Sequence, residues 1–271
     1  MPPEFRIRRC GMGATLQKAG LWKRFAAFLL DFILISILSV GVGSLVSVMT
    51  GYDALYDEMT GYYAKYSEEY GLPKNLHDIT ESQYEEFSDE LKEKYDAATK
   101  ALSEDPGANK CWTSIINSTL LIISIGLFIS VLILEFLVPL LFGNGQTVGK
   151  KIFSLGVIFP NGVKVTTAAL FVRSMLGKYT LELMVPALVL ILICFGGIGV
   201  LGIAVLGLIL LLEGVLIVAT KNNSMIHDLI SYTAVADMTT QRVFRNEDEL
   251  IAYIKALELD RARTASDRYN G

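Results

Sequence analysis

The run from Tyr179 to Thr220 is 42 residues long, and Glu182 and Glu213 are its only charged side chains. As one α-helix it would reach about 63 Å, twice the ~30 Å hydrocarbon core of a bilayer. In its middle stands "FGGIG" (Phe195 to Gly199), whose glycines can adopt the positive dihedrals of a tight reversal. The run therefore reads as a helical hairpin. Two further apolar runs, 25–49 and 112–142, are each long enough to span. Composition agrees, because only 19% of residues are charged, against roughly 25% in a soluble domain. The expected fold is an all-α, polytopic membrane helix bundle. Its four spans lie at about 25–48, 112–142, 179–195 and 200–220.

Charge orients the bundle. Arg6, Arg8, Arg9, Lys18, Lys23 and Arg24 precede the first span, against one acid, Glu4. Lys150, Lys151, Lys164, Arg173 and Lys178 lie between the second and third spans, and Lys221 follows the fourth. With four spans these groups share one side, which the positive-inside rule makes cytoplasmic, so both termini are expected there. The loop at 50–111 has 15 acidic and 6 basic residues and belongs outside. The first run is too long for a cleaved signal peptide, and no A-x-A site follows it. Cys10, Cys111 and Cys194 are scattered, and unpaired thiols are expected.

Four segments follow: a basic N-terminus with the first span (1–49), an acidic extracellular helical loop (50–111), a membrane core (112–237) and a cytosolic tail helix (238–271). In the loop, Tyr84, Phe87, Leu91, Tyr95 and Ala98 recur at helical spacing. At least one amphipathic helix is expected around 81–103. In the core's connection at 143–178, "VIFPNGVKV" has β-rich arms around Asn161-Gly162, a hairpin signal. "TTAALFVRSMLGKY" reads as a helix lying flat at the inner interface, with Arg173 and Lys178 toward the headgroups. In the tail, Asn246 with Glu249 three residues on predicts a helix cap, and the helix should run to about 262.

Ionisable residues inside spans are the informative ones, since a charge at mid-membrane costs at least ~2.5–3.5 kcal/mol. Asp31, Glu135 and Glu213 fall at one depth, roughly 10 Å below the inner surface at 1.5 Å per residue. Glu182 is shallower. "EFLVP" and "ELMVP" repeat a Glu-x-x-x-Pro pattern at Glu135–Pro139 and Glu182–Pro186. Proline has no N–H for the carbonyl four residues earlier, so each glutamate gains a freed backbone oxygen. In lipid such a carbonyl must find a partner. Hard oxygens in one layer suit Na⁺ or a proton. Asn117 and Ser124 lie 18 and 11 residues before Glu135, on its helical face, as a polar seam toward the layer. Two readings stay open for Glu135: a ligand in an ion path, or a structural partner for Arg24 or another base. Glu182 lies near enough to the interface to snorkel.

Three stretches, "AGLWKRFAAFLLDFILI", "GNGQTVGKKIFSLGVIF" and "NNSMIHDLISYTAVA", occur in that order. Together they resemble the RDD family of prokaryotic membrane proteins, named for one arginine and two aspartates. Arg24 and Asp31 match the first-helix pair, Asp228 matches the second aspartate, and Gly145 to Lys150 match the Gly-Gln-Thr-x-Gly-Lys stretch. The resemblance covers about 19–48 and 112–237 but neither the outer loop nor the tail. It implies a role in transport, with cation–proton exchange proposed for some members. Arg24 is then placed to hold Asp31 ionised, and Asp228 to meet Arg24 or Lys150.

Enzyme motifs are lacking. "GNGQTVGKK" misses the P-loop spacing by one residue and has no Ser or Thr after the lysine. His77 is the only histidine besides His227. No enzyme activity, cofactor, metal site or nucleic-acid partner is expected. The expected partners are the lipid bilayer and Na⁺ or H⁺, in a homo-oligomer in the bacterial plasma membrane. Two functions fit: a cation/proton transporter, or a non-transporting scaffold whose outer loop or tail recruits partners.

Overall fold

The computed structural model describes residues 16–194 and 198–270. Arg6, Arg8, Arg9, Cys10 and the Phe195–Gly197 part of the expected reversal lie outside the described residues. Four helices are long and apolar enough to cross a membrane: α1 (Leu21–Thr50), α5 (Pro106–Phe142), α7 (Thr167–Cys194) and α8 (Gly199–Ala219). Much of their apolar surface points outward, as at Leu45, Leu141, Leu210 and Val218, which suits a lipid solvent. Contacts divide the chain into two compact units, Val40–Gly126 and the remainder.

The Val40–Gly126 unit carries the acidic loop, which is helical. Helix α2 (Tyr52–Glu69) is followed by a 3₁₀ turn (Leu76–Asp78), then α3 (Glu81–Glu85) and α4 (Asp89–Glu104). The helical stretch expected at 81–103 is thus two helices. Ser88 breaks it, because its hydroxyl caps α4 by accepting the Leu91 N–H at 3.4 Å. Tyr66, Leu76 and a fully buried Ala98 form its core. Helix α5 begins at Pro106, earlier than expected, because Asp105 accepts the N–H groups of Gly107 (2.7 Å) and Ala108 (3.3 Å). Cys111 and Cys194 are free thiols.

The other unit holds the membrane core with α6 (Val148–Ile152), β1 (Leu155–Ile158), α9 (Ile226–Ile230), β2 (Ala234–Asp237) and α10 (Glu247–Asn270). Strand β1 does not fold mainly onto the segment after Asn161-Gly162. It pairs antiparallel with β2, Leu155 opposite Asp237 and Ile158 opposite Ala234. The expected hairpin shrinks to a turn, in which the Phe159 N–H meets the Val163 carbonyl at 2.9 Å, with a single bridge from Ile158 to Lys164. All four β1 residues are buried, so an extensive strand partner is worth more than a short turn-mate. In the tail, Asn246 accepts the Glu249 N–H at 2.9 Å as expected, and Leu250 packs on Phe244 and Val163.

Helix α7 starts at Thr167 rather than 179, capped by the Thr166 hydroxyl, which accepts the Ala169 N–H at 3.2 Å. The segment expected to lie flat at the interface is therefore the first part of this helix. Within α7, Val172–Met184 is π-wound, and so is Leu132–Leu137 within α5. The Val138 and Val185 N–H groups reach the carbonyls of Ile133 and Thr180, one residue further back than in an α-helix. Both wide segments end beside the prolines of the Glu-x-x-x-Pro repeats. π-Winding is one way a membrane helix re-pairs backbone groups around proline.

Candidate functional site

Arg24 and Asp31 share a face of α1 two turns apart, yet they part company. The Arg24 guanidinium donates to the carbonyls of Asn223 (2.5 Å) and Asn222 (3.3 Å) and to the Asp228 carboxylate (3.3 Å). Asp31 instead accepts the Gly149 N–H at 2.7 Å and the Thr147 hydroxyl, with the Lys150 ammonium 3.6 Å away. The expectation that Arg24 holds Asp31 is thus corrected. The opening N–H groups of α6 have no partner inside their own helix, and Asp31 supplies one. Gly149 makes the approach possible: a Cβ there would lie 2.3 Å from the Ala27 carbonyl oxygen and 2.9 Å from Asp31 Oδ1. Gly149→Val should therefore cost about 1–3 kcal/mol or more, read as a lowered melting temperature in detergent. Gly41→Ala, with open space around it, should change little.

Asp228 is 1% exposed and lies between two guanidiniums, those of Arg24 and Arg173. It also accepts the Met225 N–H at 3.2 Å, while Arg173 donates to the Thr233 hydroxyl at 2.7 Å. Burial alone would raise its pKa, but Arg173, with His227 and Arg24, holds the carboxyl well below the usual carboxylate range. Of the two expected partners for Asp228, Arg24 is found and Lys150 is not.

Glu135, 3% exposed, is paired with Lys178 and lies 3.9 Å from Lys150. Its backbone carbonyl, the one a following proline would free, accepts the Ser174 hydroxyl at 2.6 Å. That bond ties α5 to α7 where both are π-wound. Asp31 and Glu135 do meet as expected, but through a lysine between them rather than as adjacent oxygen ligands. Burial pulls Lys150 down to about 8; Lys178 and Arg173 push the same way, and Glu135 and Asp31 oppose. The folded value is below the ordinary 10.5, so the penalty acts below about pH 8 and is released between there and 10.5. The melting temperature of the wild type relative to Lys150→Met should rise across that window. A flat difference would contradict the assignment.

Glu182 does not snorkel. Its carboxylate accepts the His227 N–H at 3.1 Å and lies 2.6 and 2.8 Å from Nδ1 of the same residue. A carboxylate only accepts, so Nδ1 carries the hydrogen. Burial first, and then Arg173, hold His227 below its ordinary value. The contact is close because Gly177 has no side chain; a Cβ there would lie 2.4 Å from His227 Cβ.

Glu213 is different. Both its carboxyl oxygens are buried and make no hydrogen bond of ordinary length and angle among the described residues, although the Glu182 carboxyl and the Ile226 N–H face it, with Asp228 a further acidic neighbour. Arg24, Lys150, Arg173 and Lys178 thus balance Asp31, Glu135, Asp228 and Glu182, which leaves Glu213 as the unmatched carboxyl. It joins the Glu182–His227 corner rather than the Asp31–Glu135 pair. Asn117 is exposed and Ser124 half-buried, and both belong to the Val40–Gly126 unit. Their helical register to Glu135 assumed regular α geometry, which the π-wound turn at Leu132–Leu137 breaks.

Sequence reasoning missed Arg173, Lys178, His227, Thr147 and Ser174 as members of the site. The readable signal was Lys178 one turn before Glu182, in a stretch whose helical pattern continues from Thr166 with no proline before Pro186.

Four apolar membrane-length helices around a buried, charge-paired cluster define a multi-pass membrane protein with a polar interior. The RDD family model matches residues 18–232, and the chain belongs to the RDD family. Arg24, Asp31 and Asp228, the residues that carry the resemblance, all lie in this cluster. No match to the chain was found among curated proteins or among solved structures.

Proposed function

We propose that the chain exchanges a cation for a proton across the membrane, with Glu213 as the exchanging group beside Glu182 and His227. The observation that carries this reading is the buried carboxyl of Glu213 on a membrane-length helix, with no cation paired to it and a second carboxyl, Glu182, facing it. Such a group is tolerable in a low dielectric when it carries a proton or when a cation binds it. Asp31 and Glu135, first candidates for that role, already have lysine partners. The chain on this reading is a carrier rather than an enzyme, works in the cell membrane, and functions as a homo-oligomer because four spans enclose little pathway alone. The test is proton release from purified protein in weakly buffered detergent when NaCl or KCl is added, with choline chloride as control. Release by the wild type and none by Glu213→Gln is expected. Absence of release from both proteins would overturn the reading.

A second reading has its own support. Asp31, Glu135 and Asp228 are each held by fixed cations from other elements, as they would be in a cluster that only fastens helices of a scaffold. The acidic helices of residues 52–104 would then recruit partners. Deletion of 55–105 would abolish function, and Glu213→Gln would spare it.

A further inference from the structure

The charged cluster does not fill its surroundings. A cavity of about 520 Å³ lies against it, within the size range of ligand pockets. Its apolar wall is built by the first turns of α1, with Trp22, Phe25 and Phe28, and by Ile217 near the end of α8. Its polar wall carries Arg24, Lys150, Arg173 and Lys178, with Glu182 the one acid. The carboxylates that pair with these cations, Asp31, Glu135 and Asp228, lie behind them and do not line the cavity. The wall is therefore cationic although the cluster as a whole is balanced.

Donors remain to be used. A guanidinium has five N–H groups and an ammonium three. Arg24 bonds Asn222, Asn223 and Asp228, and Lys178 bonds Glu135, so both keep free donors. Lys150 already bonds Thr147, with Asp31 at 3.6 Å and Glu135 at 3.9 Å, and offers charge. The apolar wall is equally open: Trp22 is 84% exposed, and Phe25 and Phe28 are more than half exposed. These aromatics begin a membrane-length helix, and aromatic residues at the ends of such helices are favoured where headgroups meet acyl chains. Basic pockets between membrane helices are suited to lipid phosphates, and guanidinium matches phosphate in geometry as well as charge.

We propose that this cavity is a binding site for an anionic phospholipid, its phosphate against Arg24, Lys150 and Lys178 and an acyl chain along Trp22, Phe25, Phe28 and Ile217. The site needs no transport step and stands or falls apart from the exchange reading. The bound phosphate would sit on the same lysines that neutralise Asp31 and Glu135, so lipid composition would bear on how firmly the cluster holds the helices.

The chain has two tryptophans, so Trp112→Phe leaves Trp22 as the sole reporter. This protein is reconstituted in phosphatidylcholine vesicles containing traces of brominated phosphatidylglycerol or brominated phosphatidylcholine, and quenching of Trp22 is read. Quenching should favour phosphatidylglycerol by about tenfold. That preference should fall toward unity in Lys178→Met, which weakens the head contact. It should fall likewise in Ile217→Tyr, which fills the cavity and leaves every ion pair in place. Equal quenching by both lipids, or a preference unchanged in both variants, would overturn the proposal. Relief of quenching by inorganic phosphate, but not by chloride at equal ionic strength, would overturn the lipid in favour of free phosphate as occupant.

Discussion

Asp228→Asn should be among the most damaging single substitutions in this chain, lowering stability by about 3–5 kcal/mol. The carboxylate is fully enclosed, and it is the only anion in direct contact with either Arg24 or Arg173 among the described residues. An amide in its place leaves two guanidiniums facing each other across a buried space without an anion between them, held only by the Asn222 and Asn223 carbonyls and the Thr233 hydroxyl. It also weakens the acceptor for the Met225 N–H that starts α9. Asp237 provides the control. It pairs with Lys23 at 2.7 Å, but that lysine side chain is 47% exposed. Asp237→Asn should cost at most about 1 kcal/mol. Thermal unfolding of both variants in the same detergent checks the contrast, and equal losses would contradict it.

The Asp228 pairing also shows what could and could not be read ahead of the structure. The membrane class, the four long helices and the Asn246 cap follow from local patterns, because apolar length and cap chemistry act within a few residues. The glutamate–proline repeats were legible as places where a helix must re-pair its backbone. How it does so was not: π-winding and the Ser174 hydroxyl depend on a neighbouring helix. The three RDD stretches could be found singly, and Arg24 was one of the two partners expected for Asp228; the expected hold of Arg24 on Asp31 is the pairing that is not made. Arg24 belongs with the second aspartate, and the first aspartate belongs with Thr147 and Gly149. What selects these partners is how closely the backbones approach, and that rests on glycines at 149 and 177 whose missing side chains leave no periodic signal. The β1–β2 pairing joins segments far apart in sequence, with the whole of α7 and α8 between them. A local turn signal at Asn161-Gly162 therefore pointed to the nearer, minor partner.

Glu213→Gln should do the reverse of Asp228→Asn. Glutamine has nearly the same shape, and the Glu213 oxygens have no hydrogen bond of ordinary length and angle among the described residues to lose. Stability should change by less than about 1 kcal/mol. Exchange should nevertheless stop, because an amide neither gives up a proton nor binds a cation with a full charge. Glu135→Gln is expected to fall between the two. It keeps the Ser174 bond, which is made to the backbone, but it leaves the Lys178 ammonium without its carboxylate.

These differences meet in one experiment: Na⁺- or K⁺-driven proton movement into sealed proteoliposomes, wild type beside Glu213→Gln, with both proteins shown to be folded by their melting transitions. Proton movement in the wild type that falls to the protein-free background in Glu213→Gln is the expected result. Equal proton movement in the two, or none in either, would contradict a role for Glu213 as the exchanging group.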